Sequence, residues 1–322
     1  MIYIDKQSNN PWFNLAAEEF VLKNLTEDVF MLWQNTESIV FGKHQLPQQE
    51  FDIQFIELEN VPLIRRISGG GTVYHGQGNV NFSFVTTEVA DKINFQKFLH
   101  PIQLYLRELG INAEITSKSN LTIDGLKISG NAASVHRNRS LHHGTLLFDS
   151  DKKRLEFLLT PPKNDYHSKA VVSNRVKTTN ISNYLKSPID FDEFCKRLKY
   201  SVMNYFDISE IRNFNPNELE QIAKLVDEKY QTWQWNQGYS PEYSISRKMN
   251  SFGGEKNISL RVKHGRVDSV ILNSEFTTEF QSLFSKAIMG VQHSKSEITK
   301  ALKPLEDDLS EKEFNNLINS LL

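Results

Sequence analysis

The sequence predicts an α+β fold with mixed, largely antiparallel sheets, flanking helices and a small second α+β domain. Short strand-like runs follow one another across tight turns, which is typical of antiparallel pairing. Longer segments with apolar residues at helical spacing separate these runs. The chain has 322 residues, a length that favours two domains, and the strand pattern begins again near Glu242. We therefore predict domains over residues 1–241 and 242–322.

The first predicted domain alternates strands and helices. Strands are predicted over residues 1–4, 29–33, 38–41, 62–67, 72–74, 79–85, 111–115, 121–123, 126–129 and 142–148. Helices are predicted over residues 15–25, 95–109, 152–159, 191–206 and 217–230. Glu18 and Glu19 then lie near the start of the first helix, where the helix dipole favours negative charge. Asp124-Gly125 between two strand-like runs is a strong hairpin signal.

The second predicted domain contains three strands followed by three helices. The strands are predicted over residues 243–245, 258–262 and 267–272, and the helices over residues 277–289, 294–302 and 310–322. A segment of roughly 80 residues with its own strands and helices is large enough to form a domain.

Composition excludes several classes of function. Hydrophobic residues make up 39% of the chain and charged residues 24%, as in an ordinary soluble enzyme. The net charge of −2 gives no basic field for nucleic acid or an anionic membrane, and no membrane span or signal peptide is apparent. Cys195 is the single cysteine and lies on an apolar helix face, so we interpret it as a packed hydrophobe. We expect a cytoplasmic protein.

The segment from Arg65 to Ser83 is the strongest candidate for a functional site. Arg65 and Arg66 lead into three consecutive glycines at residues 69–71. Glycine lets a ligand approach the main chain closely, and successive N–H groups can form a nest for an anion. A neighbouring arginine adds a planar fork of charged donors. The spacing fits neither a Walker A loop nor a dinucleotide fingerprint, and the glycines by themselves also suit a plain hairpin with two surface arginines.

Lys127 and the paired histidines are the other candidates. Lys127 lies between Leu126 and Ile128 in the predicted hairpin, so it points away from those two residues. It therefore faces solvent or a ligand if they face the core. His142 and His143 are adjacent in a predicted strand and point to opposite faces, which makes a shared metal ion awkward.

The motif from Arg66 to Ser83 resembles the signature of lipoate–protein ligases, within the wider biotin/lipoate ligase superfamily. It reads Arg-x-Ser-Gly-Gly-Gly-x-Val-Tyr-His from Arg66, then Gly-Asn-x-Asn-x-Ser from Gly78. Further similarity lies in Asn-Leu-Ala-x-Glu-Glu from residue 14, Lys-Ile-Ser-Gly-Asn-Ala from Lys127, His-His-Gly-Thr-Leu-Leu from residue 142, and residues 168–181. The resemblance covers nearly the whole chain and implies the ligase-like catalytic fold with the small C-terminal domain of the family's long forms.

The resemblance implies an ATP-dependent reaction in two steps. Lipoate and ATP would give lipoyl-AMP and pyrophosphate, and the lipoyl group would pass to a lysine of a lipoyl-domain protein. The implied acceptors are the acyltransferase subunits of 2-oxoacid dehydrogenases and the H protein of glycine cleavage, with no nucleic acid or membrane as partner. Mg²⁺ would help neutralise the triphosphate, and its protein ligands are unknown.

The resemblance also implies roles for individual residues. Lys127 would be the catalytic residue and would orient the lipoate carboxylate against the α-phosphate. The implied ATP contacts are Arg66, Gly69, Gly70, Gly71, Thr72, Val73, Tyr74 and Lys127. The implied lipoate contacts are Arg65, Lys127, His143 and Gly144. Further candidates are His75 and Asn79 at the rim of the site, which could equally hold the turn by hydrogen bonds, together with Asn120 and Arg175.

Two departures from the family pattern keep alternatives open. Asn120 stands where the family often has a carboxylate, and Lys177 replaces an arginine, which keeps the charge but loses the bidentate fork. One alternative is an ATP-independent lipoyl or octanoyl transferase with Cys195 as the acyl carrier. Another is a noncatalytic ligand-binding member of the family. Biotin ligation is a third, although the His-His-Gly-Thr strand resembles the lipoate branch.

Overall fold

The computed structural model describes residues 1–5, 8–87, 94–116, 120–160, 166–251, 254–273, 275–307 and 309–322. These residues form two compact units. Unit 1 comprises Met1–Lys43, Asn60–Leu159 and Ser173–Thr232, and unit 2 comprises His44–Glu59, Thr160–Val172 and Trp233–Leu322. The domain boundary between residues 241 and 242 stays a prediction.

The structure contains helices and strands close to those predicted. The strands are β1 (Ile2–Ile4), β2 (Val29–Trp33), β3 (Ser38–Phe41), β4 (Leu63–Arg65), β5 (Val73–His75), β6 (Asn79–Thr86), β7 (Glu114–Ile115), β8 (Leu121–Ile123), β9 (Leu126–His136), β10 (Arg139–Leu147), β11 (Tyr166–Ser168), β12 (Ile211–Arg212), β13 (Tyr243–Ser251), β14 (Gly254–Lys263) and β15 (Arg266–Leu272). The helices are α1 (Pro11–Asn24), α2 (Pro47–Glu50), α3 (Ile53–Leu58), α4 (Phe95–Glu108), α5 (Lys152–Leu158), α6 (Phe191–Tyr205), α7 (Pro216–Leu225), α8 (Thr278–Ile288), α9 (Lys295–Leu302) and α10 (Glu311–Leu321). No helix among the described residues is long and apolar enough to cross a membrane.

Unit 1 is built on two sheets. Its described strands form one sheet in the order β12-β1-β2-β6-β10-β9-β8-β7 and a second in the order β4-β3-β5. β1 runs parallel to β2 and β12, and β3 runs parallel to β4. The other pairs in these sheets are antiparallel. The prediction of mixed, largely antiparallel sheets with flanking helices is therefore confirmed.

The two faces of the large sheet have different roles. Phe82, Phe84 and Leu146 belong to a hydrophobic core shared with residues of α4 and α6. Because successive side chains of a strand alternate between faces, Asn81 and Thr145 lie on the opposite face, and these two residues are paired in the register of β6 and β10. That second face carries the candidate site.

Helix α1 begins one turn earlier than predicted. Asn10 caps it by accepting the N–H of Phe13 at 3.0 Å, and Pro11 occupies the first helical position, where the fixed φ of proline suits a helix start. The predicted position of Glu18 and Glu19 near the helix start is therefore wrong. Both lie in the middle of α1 with at most 2% of their surface exposed, so their partners are tertiary contacts rather than the helix dipole.

Strand β9 is longer than predicted because its ladder with β10 continues past Gly130. The register runs from Ser129 paired with Leu146 to His136 paired with Arg139. Glycine is depleted in strands, so the sequence pattern ends the strand too early. The hairpin before it is as predicted, with φ of +50° at Asp124 and +75° at Gly125.

Unit 2 combines an antiparallel sheet with helices. Its described strands pair in the order β11-β13-β14-β15, and β11 is a fourth strand that the sequence analysis did not predict. The last three helices bury Phe284, Ile298 and Leu317 in one core with Leu260 of β14. The prediction of three strands followed by three helices in the C-terminal segment is confirmed.

Candidate functional site

A cavity of about 230 Å³ lies within unit 1 on the polar face of the large sheet. Its described lining combines glycines, neutral polar side chains, an indole and two cations. The lining residues are Leu15, Trp33, Val40, Arg66, Gly70, Gly71, Thr72, Val73, His75, Asn81, Asn120, Lys127, Gly130, Asn131, Ala132, His143, Gly144, Thr145, Ser173, Asn174 and Val176. The cavity therefore brings together the glycine loop, the lysine of the hairpin and the histidine strand that the sequence singles out.

The glycine loop depends on small residues in its surroundings. Gly70 has φ of +88°, a conformation that side chains other than glycine rarely adopt. A Cβ at Gly42 would lie 2.1 Å from the carbonyl oxygen of Gly70, so the residue that follows β3 must also be glycine. On the other side, Ser173 accepts the N–H of Thr72 at 2.8 Å. The loop is held from both sides at the edge of the cavity.

Arg66 is a buried brace for this loop. Its guanidinium donates to the carbonyl oxygens of Gly69 at 2.6 Å and Gly71 at 2.7 Å, and its Nε donates to Ser68 Oγ at 2.9 Å. Burial lowers the pKa of Arg66 to about 10, so it stays charged at neutral pH. The alternative of a plain hairpin with surface arginines is wrong, because Arg65 and Arg66 expose 0% and 6% of their surfaces.

Lys127 is fixed in place through its backbone. Its N–H donates to the carbonyl oxygen of Lys177 at 3.0 Å, and its own carbonyl oxygen accepts the N–H of Thr179 at 3.0 Å. Its Nζ lies 2.9 Å from the position that a Cβ would take at Gly130, so the glycine makes room for the amine. Burial and the charge of Arg66 lower the pKa of Lys127. Among the described residues, no carboxylate pairs with this amine.

A buried chain of hydrogen bonds links α1, β10 and the glycine loop. Glu18 accepts Nδ1–H of His143, with its oxygens at 3.0 and 3.1 Å, and Nε2 of His143 lies 2.6 Å from Ser68 Oγ. Ser83 Oγ donates to Glu18 at 2.5 Å. With the proton on Nδ1, Nε2 of His143 accepts the hydroxyl of Ser68, whose oxygen accepts Nε–H of Arg66. The contacts thus fix the tautomer of His143.

This chain of hydrogen bonds has the order of a Ser-His-Glu triad, but its serine is not exposed as a nucleophile. Ser68 is 1% exposed and is not among the lining residues. The hydrogen bonds therefore position His143 and the glycine loop, and the hydroxyl of Ser68 is not placed to attack a substrate. Sequence reasoning missed the role of Glu18, although the Asn-Leu-Ala-x-Glu-Glu motif that contains it was a signal.

The cavity includes most of the predicted site residues. Those that line it are Arg66, Gly70, Gly71, Thr72, Val73, His75, Asn120, Lys127, His143 and Gly144. Those that the structure places outside the described lining are Arg65, Gly69, Tyr74, Asn79 and Arg175. Their roles in binding stay predictions.

The residues outside the lining make structural contacts. Arg65 donates to the carbonyl oxygens of Gly42 at 3.3 Å and Lys43 at 2.9 Å and lies over the ring of Phe41. Tyr74 donates to Glu37 at 3.0 Å, which ties β5 to its neighbouring turn.

Asn79 and Arg175 are tied to main-chain carbonyls. Asn79 donates to the carbonyl oxygen of Leu146 at 3.3 Å, and Arg175 donates to the carbonyl oxygen of Leu159. In this conformation both side chains hold neighbouring segments in place.

The cavity does not fit a dedicated magnesium site. Its described lining offers amide oxygens from Asn81, Asn120, Asn131 and Asn174 but no carboxylate. The described part of the chain also holds no group of three or more His, Cys, Asp or Glu residues suited to a metal ion. Mg²⁺ is usually held by one or two carboxylates together with substrate phosphates, so the protein alone supplies too few ligands.

Comparison with known proteins identifies the family. Residues 10–202 match the model of the lipoyl protein ligase A/B catalytic domain. Lipoate–protein ligase 1 of Staphylococcus aureus is 36% identical over 307 residues, which cover 92% of each chain. The chain belongs to the lipoate–protein ligases. Because the similarity extends over nearly all of both chains, unit 2 of this ligase is included in it.

Two solved structures share the fold of this ligase. One is LipL1 of P. falciparum in complex with lipoate, with a TM-score of 0.64, 23% identity and coverage of 99% of this chain and 98% of that one. The other is a lipoate-protein ligase A bound with ATP, with a TM-score of 0.62, 21% identity and coverage of 74% and 98%. At these identities the likeness shows a common fold, and the expected biotin/lipoate ligase-like architecture is confirmed.

Proposed function

We propose that this ligase activates lipoate with ATP as lipoyl-AMP, releases pyrophosphate, and transfers the lipoyl group to a lysine of an acceptor protein. The observation that carries the proposal is Lys127, a cation without a carboxylate partner among the described residues. It lines the cavity together with the glycine loop. A cation in this position suits the point where two anionic substrates meet.

In the first step a carboxylate oxygen of lipoate attacks the α-phosphorus of ATP, and the bond to pyrophosphate breaks. Negative charge grows on the oxygens around that phosphorus, where a prearranged cation lowers the barrier. Lys127 would hold the carboxylate against the phosphate and neutralise part of this charge. Arg66 would act from behind the loop, since its donors already hold Gly69 and Gly71.

In the second step the amine of an acceptor lysine attacks the carbonyl carbon of lipoyl-AMP. The amine loses a proton, an amide forms and AMP leaves. We propose as acceptors the lipoyl domains of 2-oxoacid dehydrogenase acyltransferases and the glycine cleavage H protein. Mg²⁺ would enter as part of the MgATP substrate, held mainly by phosphate and water. A cytoplasmic location stays a prediction.

The transferase alternative finds no support in the geometry of Cys195. The side chain is half-buried against the core beneath α6 and is not among the residues that line the cavity. Burial raises the pKa of its thiol to about 12. Because the thiolate is the nucleophilic form, this cysteine is poorly suited to carry an acyl group.

The test is ATP–pyrophosphate exchange with free lipoate, with octanoate and biotin as comparators. We expect exchange that depends on lipoate. An absence of exchange with all three acids, in protein shown to be folded and to bind lipoate, would contradict the adenylation step. A lipoyl thioester that forms without ATP and disappears in Cys195→Ala would instead establish the transferase.

A further inference from the structure

Another cavity, of about 180 Å³, lies within unit 2. Its described lining shares no residue with that of the cavity in unit 1. Gln48 lines it with 8% of its surface exposed, and Oε1 of this side chain has no hydrogen-bond partner among the described residues. Native proteins leave few buried acceptors unpaired, because each loses its water on folding. This acceptor therefore points to a ligand that carries a hydrogen-bond donor.

A buried series of hydrogen bonds fixes the orientation of the Gln48 amide. Nε2 of His293 lies 2.6 Å from the carbonyl oxygen of Leu321 and therefore carries the proton. Burial lowers the pKa of His293 to about 4, so the ring is neutral and its Nδ1 accepts the hydroxyl of Tyr243 at 2.7 Å. The phenol oxygen in turn accepts Nε2–H of Gln48 at 3.4 Å. This leaves Oε1 of Gln48 as a fixed acceptor in the cavity.

The start of α9 brings positive charge to the cavity. Lys295, the first residue of this eight-residue helix, lines the cavity with an exposed side chain that donates to Gln54 at 3.2 Å. Ser294 also lines the cavity and makes no side-chain capping bond to the helix. The N–H groups of an uncapped first turn and the positive end of the helix dipole attract an anion. Glu297 lies in the same turn but outside the described lining.

Arg247 adds a further cation to the lining. Its guanidinium donates to the carbonyl oxygen of Asn319 at 3.0 Å and lies over the ring of Tyr166, 5.5 Å from the centroid. Tyr166 is held in turn, because its hydroxyl donates to the main-chain oxygen of Leu322. These contacts keep the guanidinium in place, and its planar fork of N–H donors matches the oxygens of a carboxylate.

The remaining lining includes carboxylates and apolar surface. Asp52 and Glu57 both line the cavity. Asp52 accepts the N–H of Phe55 at 3.0 Å as the cap of α3, whereas Glu57 has an exposed side chain. Phe51, which is fully buried, and Ile53 add apolar surface. The described lining therefore combines cations, carboxylates and apolar groups, which suits a ligand that carries both charges.

We propose that the cavity of unit 2 binds a free α-amino acid with a small aliphatic side chain. Its ammonium group donates to Oε1 of Gln48 and is balanced by the carboxylate of Glu57. Its carboxylate is held by Lys295, Arg247 and the start of α9, and its side chain packs against Phe51. A cavity below the roughly 300–1,000 Å³ of drug-sized sites suits so small a molecule. This site goes beyond the proposed function, which uses none of its residues.

Calorimetric titration with L-valine tests the site in the full chain, without ATP or lipoate. We expect saturable binding at one site per chain. Isobutylamine is valine without its carboxylate, and isovalerate is valine without its ammonium group. Each should bind at least tenfold more weakly than valine, the effect of losing hydrogen bonds to a charged group.

Two variants test whether valine binds in this cavity. Gln48→Met removes the amide oxygen at similar volume and should weaken valine binding at least tenfold. Its control is Gln281→Met, which removes a half-buried glutamine of α8 outside the described lining. Lys295→Met should weaken binding about two- to fivefold, because an exposed charge contributes less. Its control is Lys300→Met, an exposed lysine of the same helix outside the described lining. Both controls should bind valine like the wild type.

Three results would each overturn the site. No saturable binding of valine at millimolar concentrations would mean that water alone completes the hydrogen bonds of Gln48. Isobutylamine or isovalerate that binds as tightly as valine would contradict a site for both charges. Valine binding that neither Gln48→Met nor Lys295→Met weakens would lie elsewhere on the chain. Lys295→Met changes an exposed residue, so it keeps the test decisive if Gln48→Met does not fold. None of these results depends on ATP–pyrophosphate exchange.

Discussion

Replacing Lys127 by methionine removes the charged amine and keeps most of the aliphatic side chain. Among the described residues, the cations that line the cavity are Lys127 and Arg66. Arg66 is unable to take over, because its donors are bound to the loop carbonyls and to Ser68. Loss of one prearranged donor at a developing charge costs about 3–4 kcal/mol of transition-state stabilisation. We therefore expect kcat for lipoate-dependent exchange to fall by about 10²- to 10³-fold.

The same substitution should not destabilise the protein. Burial and the nearby Arg66 lower the pKa of Lys127, so the folded state binds this proton less readily than the unfolded state does. A group of this kind reduces stability in full at pH values below its folded pKa, and stability recovers as pH rises towards the unfolded value. At neutral pH the methionine variant should therefore unfold at the same temperature as the wild type or higher.

Exchange assays and thermal unfolding of the same preparations check both expectations. Lys196→Met on α6 is the control, since it removes one charge from an exposed lysine outside the cavity lining. The assignment of Lys127 would be refuted by a variant that is stable and retains exchange within threefold of the wild type. Loss of exchange together with a large loss of stability would refute the argument that the amine is buried at a cost.

Three further substitutions probe the supports of the site. Glu18→Gln removes the negative charge that accepts Nδ1–H of His143 and the hydroxyl of Ser83, so we expect kcat for exchange to fall about 5- to 150-fold, equivalent to about 1–3 kcal/mol, with little change in KM for lipoate. Gly42→Ala places a methyl group 2.1 Å from a loop carbonyl and should lower stability by about 1–3 kcal/mol, whereas Gly69→Ala, with nothing within 4 Å, should unfold like the wild type. Urea unfolding tests both. Burial lowers the pKa of His142 to about 3, whereas an unfolded histidine has a pKa of about 6.5. The free energy of unfolding therefore falls by about 1.4 kcal/mol per pH unit as pH drops below about 6.5. We expect His142→Phe to lose less free energy of unfolding than the wild type between pH 6 and 5.

The sequence predicts local features of this fold well and distant pairings poorly. β2 and β3 end where the sequence analysis places them, because an apolar run in each is bounded by turn residues. β9 is misjudged at Gly130, because a long ladder with β10 outweighs the low strand propensity of one glycine. Residues 44–59 and 160–172 join unit 2 through contacts far along the chain, and no local pattern indicates such a pairing.

The candidate site shows the same division. The glycine loop, Lys127 and His143 can be recognised from their motifs, since residue type and spacing carry that information. The chain from Glu18 through His143 to Ser68 joins three separate segments, so its geometry is visible only in the folded protein. The same holds for the contacts of Arg65, whose buried guanidinium donates to the carbonyl oxygens of Gly42 and Lys43.

The electrostatics of the cavity follow from which buried groups find partners inside the protein. Arg66 and His143 have their hydrogen bonds filled by the loop and by Glu18, so they shape the cavity without needing a ligand. Among the described residues, the amine of Lys127 has no carboxylate partner, and Nε2 of His75 and the side-chain amide of Asn81 have no hydrogen-bond partner. Each unpaired group is costly in the empty protein, and each cost becomes binding energy for a ligand that supplies the missing partner. Under the proposed function, the carboxylate of lipoate supplies the partner that the amine of Lys127 lacks among the described residues.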